Sequence, residues 1–232
     1  MNMITASIVG GSGYTGGELL RLSLFHPNID IKQITSERND GKFVTKLHPN
    51  LRQQTKLKFS SINSLDNENV NVLFLCLPHG ESGKKIDFFI DKADKIIDLS
   101  ADFRLKDPKM YREFYDEDHP RPDLLKSFIY GIPELHREEM KTSSYVSSAG
   151  CNATASILGL YPLFKEGVVE LDKTVIDVKT GSSEGGNSVN DGSANSPPHH
   201  ASLQARLWRP AFPEYREQQP NQHHLERCLQ PL

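Results

Sequence analysis

Residues 4–20 read ITASIVGGSGYTGGELL, and this stretch decides the fold class. Its first seven residues are apolar enough for a buried strand, and residues 16–25 carry leucines at helical spacing. Gly10, Gly13 and Gly16 lie between and at the start of these segments. A glycine-rich turn from strand to helix is typical of a dinucleotide site, because glycine lets the backbone turn tightly and approach a pyrophosphate. A tight turn without a ligand is the structural alternative.

The following segments continue the alternation of strand and helix. Apolar runs predict strands, and an amphipathic run predicts a helix; the strands are at 29–35, 71–78, 95–100 and 145–150, and the helix is at 82–93. This order predicts an α/β fold with a doubly wound parallel sheet, the Rossmann arrangement. Residues 174–183 alternate polar and apolar side chains, which indicates a sheet with one wet face. We therefore place a domain boundary just before Cys151.

Composition limits the classes of function. The chain has 232 residues, 25% of them charged, and a net charge of −3, so no basic surface for nucleic acid is expected. It has no run of 18 apolar residues and no signal-peptide pattern at its start, which predicts a cytoplasmic protein without a membrane segment. Three scattered cysteines are too few for a disulfide framework or a zinc cluster, so no metal site is expected.

The end of the second predicted strand indicates which dinucleotide binds. It reads TSERND over residues 35–40. Ser36 and Arg38 suit the 2′-phosphate of NADP, although Glu37 would repel that phosphate if it pointed inward. The competing interpretation is Asp40 as an acceptor for the ribose hydroxyl of NAD. We predict NADP.

A cysteine stands at a helix start in SSAGCNATASILGLYPL, residues 147–163. Cys151 follows a small-residue turn and precedes the predicted helix 152–164. Free N–H groups and the helix dipole favour the thiolate at such a position. The alternative is a small buried hydrophobe. Together with a nucleotide site, a reactive Cys151 predicts attack on an acyl group to form a thioester, followed by hydride transfer.

Two turns follow predicted strands at the sheet edge where such folds bind ligands. CLPHGESG (76–83) contains His79, predicted as a loop histidine near the nicotinamide or as a catalytic group. IDLSADFRLKD (97–107) contains Arg104, which suits an anionic substrate. The alternative for Arg104 is a salt bridge with Asp102 or Asp107. A third segment, YGIPELH at 130–136, predicts a turn leading into a helix.

The last part of the chain has a different composition. Residues 182–200 are rich in Gly, Ser, Asn and Pro, which predicts a long functional or disordered loop. Residues 1–200 contain 16 Lys, whereas residues 201–232 contain none, and four prolines interrupt any long helix there. We interpret 201–232 as a tail foreign to the fold, from a frameshift or truncation. A Pro-rich surface tail is the alternative.

Six motifs in fixed order carry a resemblance to a known family. They are VGGSGYTGGELLR, TSE-R, LPHGESG, IDLSADFRL, YGIPELH and SAGCNATA. Over residues 4–200 the chain resembles the N-acetyl-γ-glutamyl-phosphate reductases. It is most similar to the archaeal branch that reduces amino acids tethered to a small acidic carrier protein in lysine and arginine biosynthesis. The resemblance implies a Rossmann domain at 1–150 and the start of an α+β semialdehyde-dehydrogenase domain at 151–200.

The resemblance also implies roles for residues. Cys151 matches the nucleophile, and the cofactor-binding positions are Gly10, Ser12, Gly13, Tyr14, Thr15, Gly16, Ser36, Glu37 and Arg38. Within GSSEGG (181–186), Ser182 and Ser183 become candidate substrate contacts beside Arg104. This segment is similar to the carrier-dependent branch, whose substrate is a γ-glutamyl or aminoadipyl phosphate. The acetylated-substrate branch carries a GAGR segment there and is the alternative. A cytoplasmic homotetramer is implied as well.

The chain departs from the family after His200. The Pro-Glu-Arg stretch and the Gly-His-Arg-His segment that supplies a histidine acid/base are absent from 201–232, so no residue is assigned to that role. The competing hypothesis is therefore a truncated nucleotide-binding protein without catalytic activity.

Overall fold

A computed structural model describes residues 3–65, 69–170 and 174–179, and the backbone of 200–202. The chain divides into two compact units, Met1–Ala149 and Gly150–Leu232. Within the described ranges, no helix is long and apolar enough to cross a membrane.

The first unit is built on a six-stranded sheet in the order β2-β1-β3-β4-β6-β5, and every strand pair is parallel. The strands are β1 (Ile4–Val9), β2 (Ile29–Ile34), β3 (Val70–Leu75), β4 (Ala93–Asp98), β5 (Ile129–Gly131) and β6 (Tyr145–Ser148). Because β2 and β3 flank β1 on opposite sides, the strand order reverses at β1. Ligands of such folds bind at the carboxyl ends of the strands beside this reversal. The predicted doubly wound fold is confirmed.

Helices connect the strands of this unit. They are α1 (Tyr14–Leu24), α2 (Val44–Leu47), α3 (Glu81–Phe89), α4 (Pro108–Tyr115) and α5 (Pro133–Thr142). The predicted strand at 71–78 runs too far, since β3 ends at Leu75 and Cys76 makes its backbone bond to Val9 from the turn. The prediction for 130–136 was also wrong in part, because β5 occupies its first two residues. Three strand residues are too few to show an alternation.

Apolar cores lie on both faces of the sheet. Alternate residues of β1 belong to different clusters: Ala6 and Ile8 pack with Leu20 and Ile34, whereas Val9 packs with a second group. That second group contains Leu73, Leu75, Ile86, Phe89, Ile96, Phe103, Leu125 and Phe128. A strand buried on both faces needs apolar residues at nearly every position, which explains the continuous apolar runs in the sequence.

The second unit begins with α6 (Cys151–Lys165). Farther along, β7 (Asp177–Lys179) pairs with β8 (His200–Ser202) in antiparallel orientation. The predicted strand at 174–183 is thus shorter within the described residues. Residues 201 and 202, the first two of the predicted tail 201–232, belong to β8 and not to a separate tail. Ser182 and Ser183, the rest of that tail and the predicted loop before His200 lie outside the described residues.

One buried ammonium in the first unit costs stability. The Nζ atom of Lys106, between β4 and α4, is shielded from solvent and has no hydrogen-bond partner among the described residues. Burial lowers the pKa of Lys106 to about 8, although the charge of Glu139 opposes this shift. The unfolded chain keeps the ordinary value of 10.5, so protonation favours unfolding. The cost is complete below pH 8 and disappears as the pH rises to 10.5.

We therefore expect Lys106→Met to stabilise the protein by about 1–2 kcal/mol at pH 7, an estimate reduced for partial exposure of the side chain. The gain should shrink to near zero at about pH 10.5, where the lysine is neutral in the folded chain and only half protonated in the unfolded chain. Urea unfolding at the two pH values measures this difference. Lys126→Met removes an exposed lysine and serves as the control. An equal gain at both pH values would show that the side chain, and not its charge, is responsible.

Candidate functional site

The turn between β1 and α1 has glycines that packing requires. Gly10 adopts a φ of +80°, and a methyl group added there would lie 2.4 Å from the carbonyl oxygen of Cys76. A methyl group at Gly16 would lie 2.7 Å from the carbonyl oxygen of Gly10. These contacts are with backbone atoms, which cannot rotate away. Gly10 and Gly16 therefore let the turn pack closely against β3 and against itself.

Gly13 differs from the other two predicted glycines. Its φ is −79°, and a methyl group there would have no neighbour closer than the carbonyl oxygen of Gly10 at 4.0 Å. No contact within the protein therefore demands glycine at this position. An open backbone at a helix start permits the close approach of a ligand, which is the role assigned to this glycine in dinucleotide-binding turns.

The N-terminus of α1 is suited to an anion. No side chain among the described residues caps this helix, its first turn has no acidic residue, and the N–H of Gly17 makes the bond to Gly13, at 2.9 Å. The earlier N–H groups of the first turn have no helical acceptor. Tyr14 and Thr15 are exposed in this turn. The free donors, the helix dipole and the open Gly13 together fit a dinucleotide pyrophosphate.

The residues after β2 form the predicted adenosine end. The carboxylate of Glu37 accepts hydrogen bonds from the N–H of Ile62, at 2.6 Å, and from Ser61 Oγ, at 3.2 Å. These bonds hold the Glu37 carboxylate at the start of the short helical turn Ile62–Ser64. Ser36 is buried, and its Oγ accepts from Asn39 at 3.2 Å. Arg38 is exposed, and no carboxylate among the described residues pairs with it.

His48 is a residue of this site that sequence reasoning missed. It directly follows α2, and its Nε2 lies 2.8 Å from the carbonyl oxygen of Gly11. Its ring also covers Gly17, where a methyl group would lie 2.4 Å from the ring carbon Cε1. The consecutive glycines at 16 and 17 were a weak signal of close packing. Nothing in the sequence indicates which side chain packs there.

A second polar cluster lies beyond the carboxyl ends of β3 and β4. Asp102 is fully buried, and its carboxylate accepts from the N–H groups of Gly80 and Gly83, both at 2.7 Å. It also pairs with Nδ1 of His79 at 2.8 Å. Asp102 therefore caps α3 and orients the His79 ring. His79 keeps an exposed edge, and its Nε2 lies 3.9 Å from Glu117.

Arg104 forms neither of the salt bridges considered from the sequence. Its Nε donates to the carbonyl oxygen of Ser148 at 2.9 Å, and its Nη2 donates to that of Leu99 at 3.2 Å. The guanidinium thus joins the carboxyl ends of β4 and β6. Asp107 instead caps α4 through the N–H of Lys109. The alternative of a salt bridge was wrong because the strand ends offer unpaired carbonyl groups nearer to the guanidinium.

Two side chains at this sheet edge, those of Asp98 and Cys76, have raised pKa values. Burial raises the pKa of Asp98 to about 6, although hydrogen bonds from Ser100 oppose the shift. Burial, together with the nearby charge of Asp98, raises the pKa of Cys76 to about 12. The thiol of Cys76 is therefore neutral at physiological pH and is a poor nucleophile.

Cys151 has a different environment from Cys76. It is exposed and is the first residue of α6, after Gly150 in extended conformation. The N–H of Thr154 makes the bond to the Gly150 carbonyl, at 2.8 Å, so the three preceding N–H groups have no helical acceptor. The first turn has no acidic residue. An accessible thiol at a helix start suits nucleophilic chemistry.

Comparison with protein families agrees with the fold and with the two units. The model of the semialdehyde dehydrogenase NAD-binding domain matches residues 5–143, and that of the semialdehyde dehydrogenase dimerisation domain matches residues 151–205. The chain belongs to the semialdehyde dehydrogenase family. The first unit is accordingly an NAD(P)-binding domain.

Curated relatives agree with the resemblance drawn from the motifs. The LysW-L-2-aminoadipate/LysW-L-glutamate phosphate reductase of Sulfurisphaera tokodaii is 46% identical over 204 residues, 87% of this chain and 57% of that protein. A Thermomicrobium roseum protein, whose name assigns it to the LysW-L-2-aminoadipate 6-phosphate reductases, is 51% identical over 85% of this chain and 54% of its own length. The predicted carrier-dependent branch is confirmed as the group of relatives. The chain spans little more than half of their length.

Solved structures show the same fold. Aspartate semialdehyde dehydrogenase II of Vibrio cholerae aligns with a TM-score of 0.59 at 16% identity, over 81% of this chain and 49% of that chain. The Francisella tularensis enzyme aligns with a TM-score of 0.52 at 18% identity, over 80% and 46% of the two chains. At such identities the likeness concerns the fold alone.

Proposed function

We propose that the protein reduces a carrier-bound γ-glutamyl phosphate or aminoadipyl phosphate to the semialdehyde, with NADPH as reductant and release of phosphate. One observation carries the chemistry: an exposed cysteine opens α6 in a chain whose other unit has an uncapped helix start fitted to a pyrophosphate. The names of the relatives support the choice of substrate.

Cys151 is the proposed nucleophile. Its thiolate attacks the carbonyl carbon of the acyl phosphate, the carbon–sulfur bond forms, and inorganic phosphate leaves with the electron pair of the carbon–oxygen bond. The product of this step is a thioester on Cys151. The sulfur lies at the N-terminal end of α6, beside backbone N–H groups that have no helical acceptor. When bound, the reduced nicotinamide supplies the hydride that converts the thioester to the semialdehyde and frees the thiolate.

The first unit is proposed to hold the cofactor. The backbone of Gly10–Gly16, including Ser12, Tyr14 and Thr15, would bind the pyrophosphate, and Ser36 and Arg38 would bind the 2′-phosphate. Glu37 is engaged by Ser61 and Ile62, so its carboxylate has a partner other than the phosphate. These contacts support NADP over NAD.

Replacing Arg38 tests the choice of cofactor. Arg38→Ala should weaken NADPH binding about tenfold, the value of one charge-assisted contact, and should leave NADH binding unchanged. Fluorescence titration with each cofactor measures the two affinities. Arg52→Ala removes another exposed arginine and is the matched control, expected to change neither. Equal affinities for NADPH and NADH in the unmodified chain would contradict the 2′-phosphate site, and tighter binding of NADH would favour NAD and a ribose contact by Asp40.

The partner is proposed to be the small acidic carrier protein that bears the amino acid, since the relatives are named for LysW-linked substrates. Arg104, Ser182 and Ser183 are the proposed substrate contacts. For Arg104 the contact would use the part of its guanidinium that Ser148 and Leu99 leave free. A homo-oligomer is proposed as well, in keeping with the match to a dimerisation domain.

The reverse reaction tests the function directly. The semialdehyde linked to the carrier is supplied with NADP⁺ and inorganic phosphate, and the absorbance of reduced nicotinamide is followed. We expect turnover with the carrier-linked aldehyde and none after Cys151→Ser. Turnover with N-acetylglutamate semialdehyde, and none with the carrier-linked aldehyde, would assign the acetylated-substrate reaction. Cofactor binding without turnover on either aldehyde would favour a non-catalytic nucleotide-binding protein.

A further inference from the structure

His48 makes a contact that fixes the backbone of the glycine turn. Its Nε2 lies 2.8 Å from the carbonyl oxygen of Gly11, at a separation of 37 residues in the sequence. A carbonyl oxygen only accepts hydrogen bonds, so Nε2 carries the proton and donates it. This holds for the neutral ring with its proton on Nε2 and for the charged ring.

The hydrogen bond sets the direction of a neighbouring donor. The peptide between Gly11 and Ser12 is trans, because the described chain has no cis peptide bond. In a planar trans peptide the C=O and the N–H point in opposite directions. Holding the Gly11 carbonyl towards His48 therefore aims the N–H of Ser12 away from His48. No described group accepts a hydrogen bond from this N–H within the protein.

Packing contacts also hold the His48 ring in place. The ring of His48 covers Gly17 of α1 and meets the Phe59 ring edge-on, with centroids 6.2 Å apart. Phe59 is buried in the core that also holds Ile34. Ile34 in turn leaves no room for a side chain at Gly11, where a methyl group would lie 2.1 Å from its Cγ1. The turn is thus enclosed between the core and His48.

We infer that His48 is a positioning residue for cofactor binding, which aims the N–H of Ser12 at the pyrophosphate and fixes the start of α1. The inference rests on the proposed cofactor site but concerns a residue outside the glycine motif. It explains why a histidine follows α2 at the point where this segment passes the turn. Its effect on the cofactor is expected in binding, because His48 acts through the backbone.

Two substitutions separate the hydrogen bond from the ring. The amide nitrogen of glutamine lies at nearly the same distance from Cα as Nε2, whereas that of asparagine corresponds to Nδ1. His48→Gln should therefore keep most of the NADPH affinity, and His48→Asn should lose about tenfold, the value of one donor to a phosphate. His26→Asn, beyond the other end of α1, is the control and should bind as the unmodified chain does.

A double-substitution cycle with Gly17 tests the packing. Gly17→Ala should weaken NADPH binding in the presence of His48, because the methyl group displaces the ring. In the His48→Ala background the three closest contacts of this methyl group are gone, and Gly17→Ala should cost little more. The melting temperature should follow the same pattern, falling with His48 present and rising with it absent, since alanine favours a helix over glycine.

The possible results of these experiments distinguish an error in the cofactor site from an error in the role of His48. If the unmodified chain binds neither NADPH nor NADH, the cofactor site itself is wrong. If it binds NADPH and His48→Asn binds equally well, only the positioning role is wrong. Additive effects of Gly17→Ala and His48→Ala on affinity would likewise overturn it, because independent sites show no coupling. Retained affinity in His48→Gln together with coupling to Gly17 supports the inference, even if His48→Ala lowers the melting temperature.

Discussion

Iodoacetamide at pH 7 should alkylate Cys151 roughly a thousand times faster than Cys76, or more. At this pH a thiol of ordinary acidity is about 3% thiolate, whereas one with a pKa of about 12, as for Cys76, is about 0.001% thiolate. Cys76 also packs against the core that contains Ile31 and Ile34 of β2. Cys151 is exposed at a helix start, so the reagent reaches its sulfur directly.

Peptide mass spectrometry over a time course measures both rates in one sample. Cys228 lies outside the described residues, and its peptide is followed separately. Labelling in denaturant is the control, because both cysteines should then react at similar rates. Cys151→Ser should remove the fast-reacting peptide and leave NADPH binding intact, since the two features belong to different units. Similar rates for Cys76 and Cys151 in the folded protein would contradict the environments described for both thiols.

Gly10→Ala should destabilise the protein by about 2–4 kcal/mol and abolish cofactor binding. The substitution forces an L side chain to a φ of +80° and places a methyl group 2.4 Å from the carbonyl oxygen of Cys76. The strand–turn contact would have to open, which moves the start of α1. Urea unfolding and NADPH titration measure the two losses.

Gly13→Ala is the matched control for this loss of stability. Its φ of −79° suits alanine, and its methyl group would have no neighbour nearer than 4.0 Å. We expect stability within about 0.5 kcal/mol of the unmodified chain. NADPH affinity should nevertheless fall, because the methyl group occupies the open side of the turn. Equal destabilisation by the two substitutions would show that the turn packs differently from the structure.

The sequence by itself determined the strands, turns and helix starts that depend only on residues adjacent in the chain. In β1, the four positions from Ala6 to Val9 are buried and need apolar or small residues, and this leaves a visible run. The turn after β1 needs glycines, which the sequence shows directly. The small residues before Cys151 indicate where α6 begins. The order of such segments then restricts the sheet to a parallel, doubly wound form. The fold class could be predicted for this reason, and the same local signals carry the proposals for the cofactor turn and for Cys151 as nucleophile.

Local patterns were insufficient where an element was short or a partner was distant. β5 has three residues and forms only because β6 lies beside it. Gly10 and Gly13 look equivalent in the sequence, but only Gly10 closely meets the carbonyl group of Cys76, in the turn after β3. The partners of Glu37, too, are 24 and 25 residues away and gave no sign in the motif.

The polar contacts of the site were decided by the tertiary structure alone. Asp102 binds backbone N–H groups 19 and 22 residues away, Arg104 reaches a carbonyl 44 residues away, and His48 reaches one 37 residues away. A backbone donor or acceptor is present at almost every residue, so the sequence cannot mark which one a side chain will use. That choice depends on which strand ends and turns the folded sheet brings within about 3 Å of the side chain.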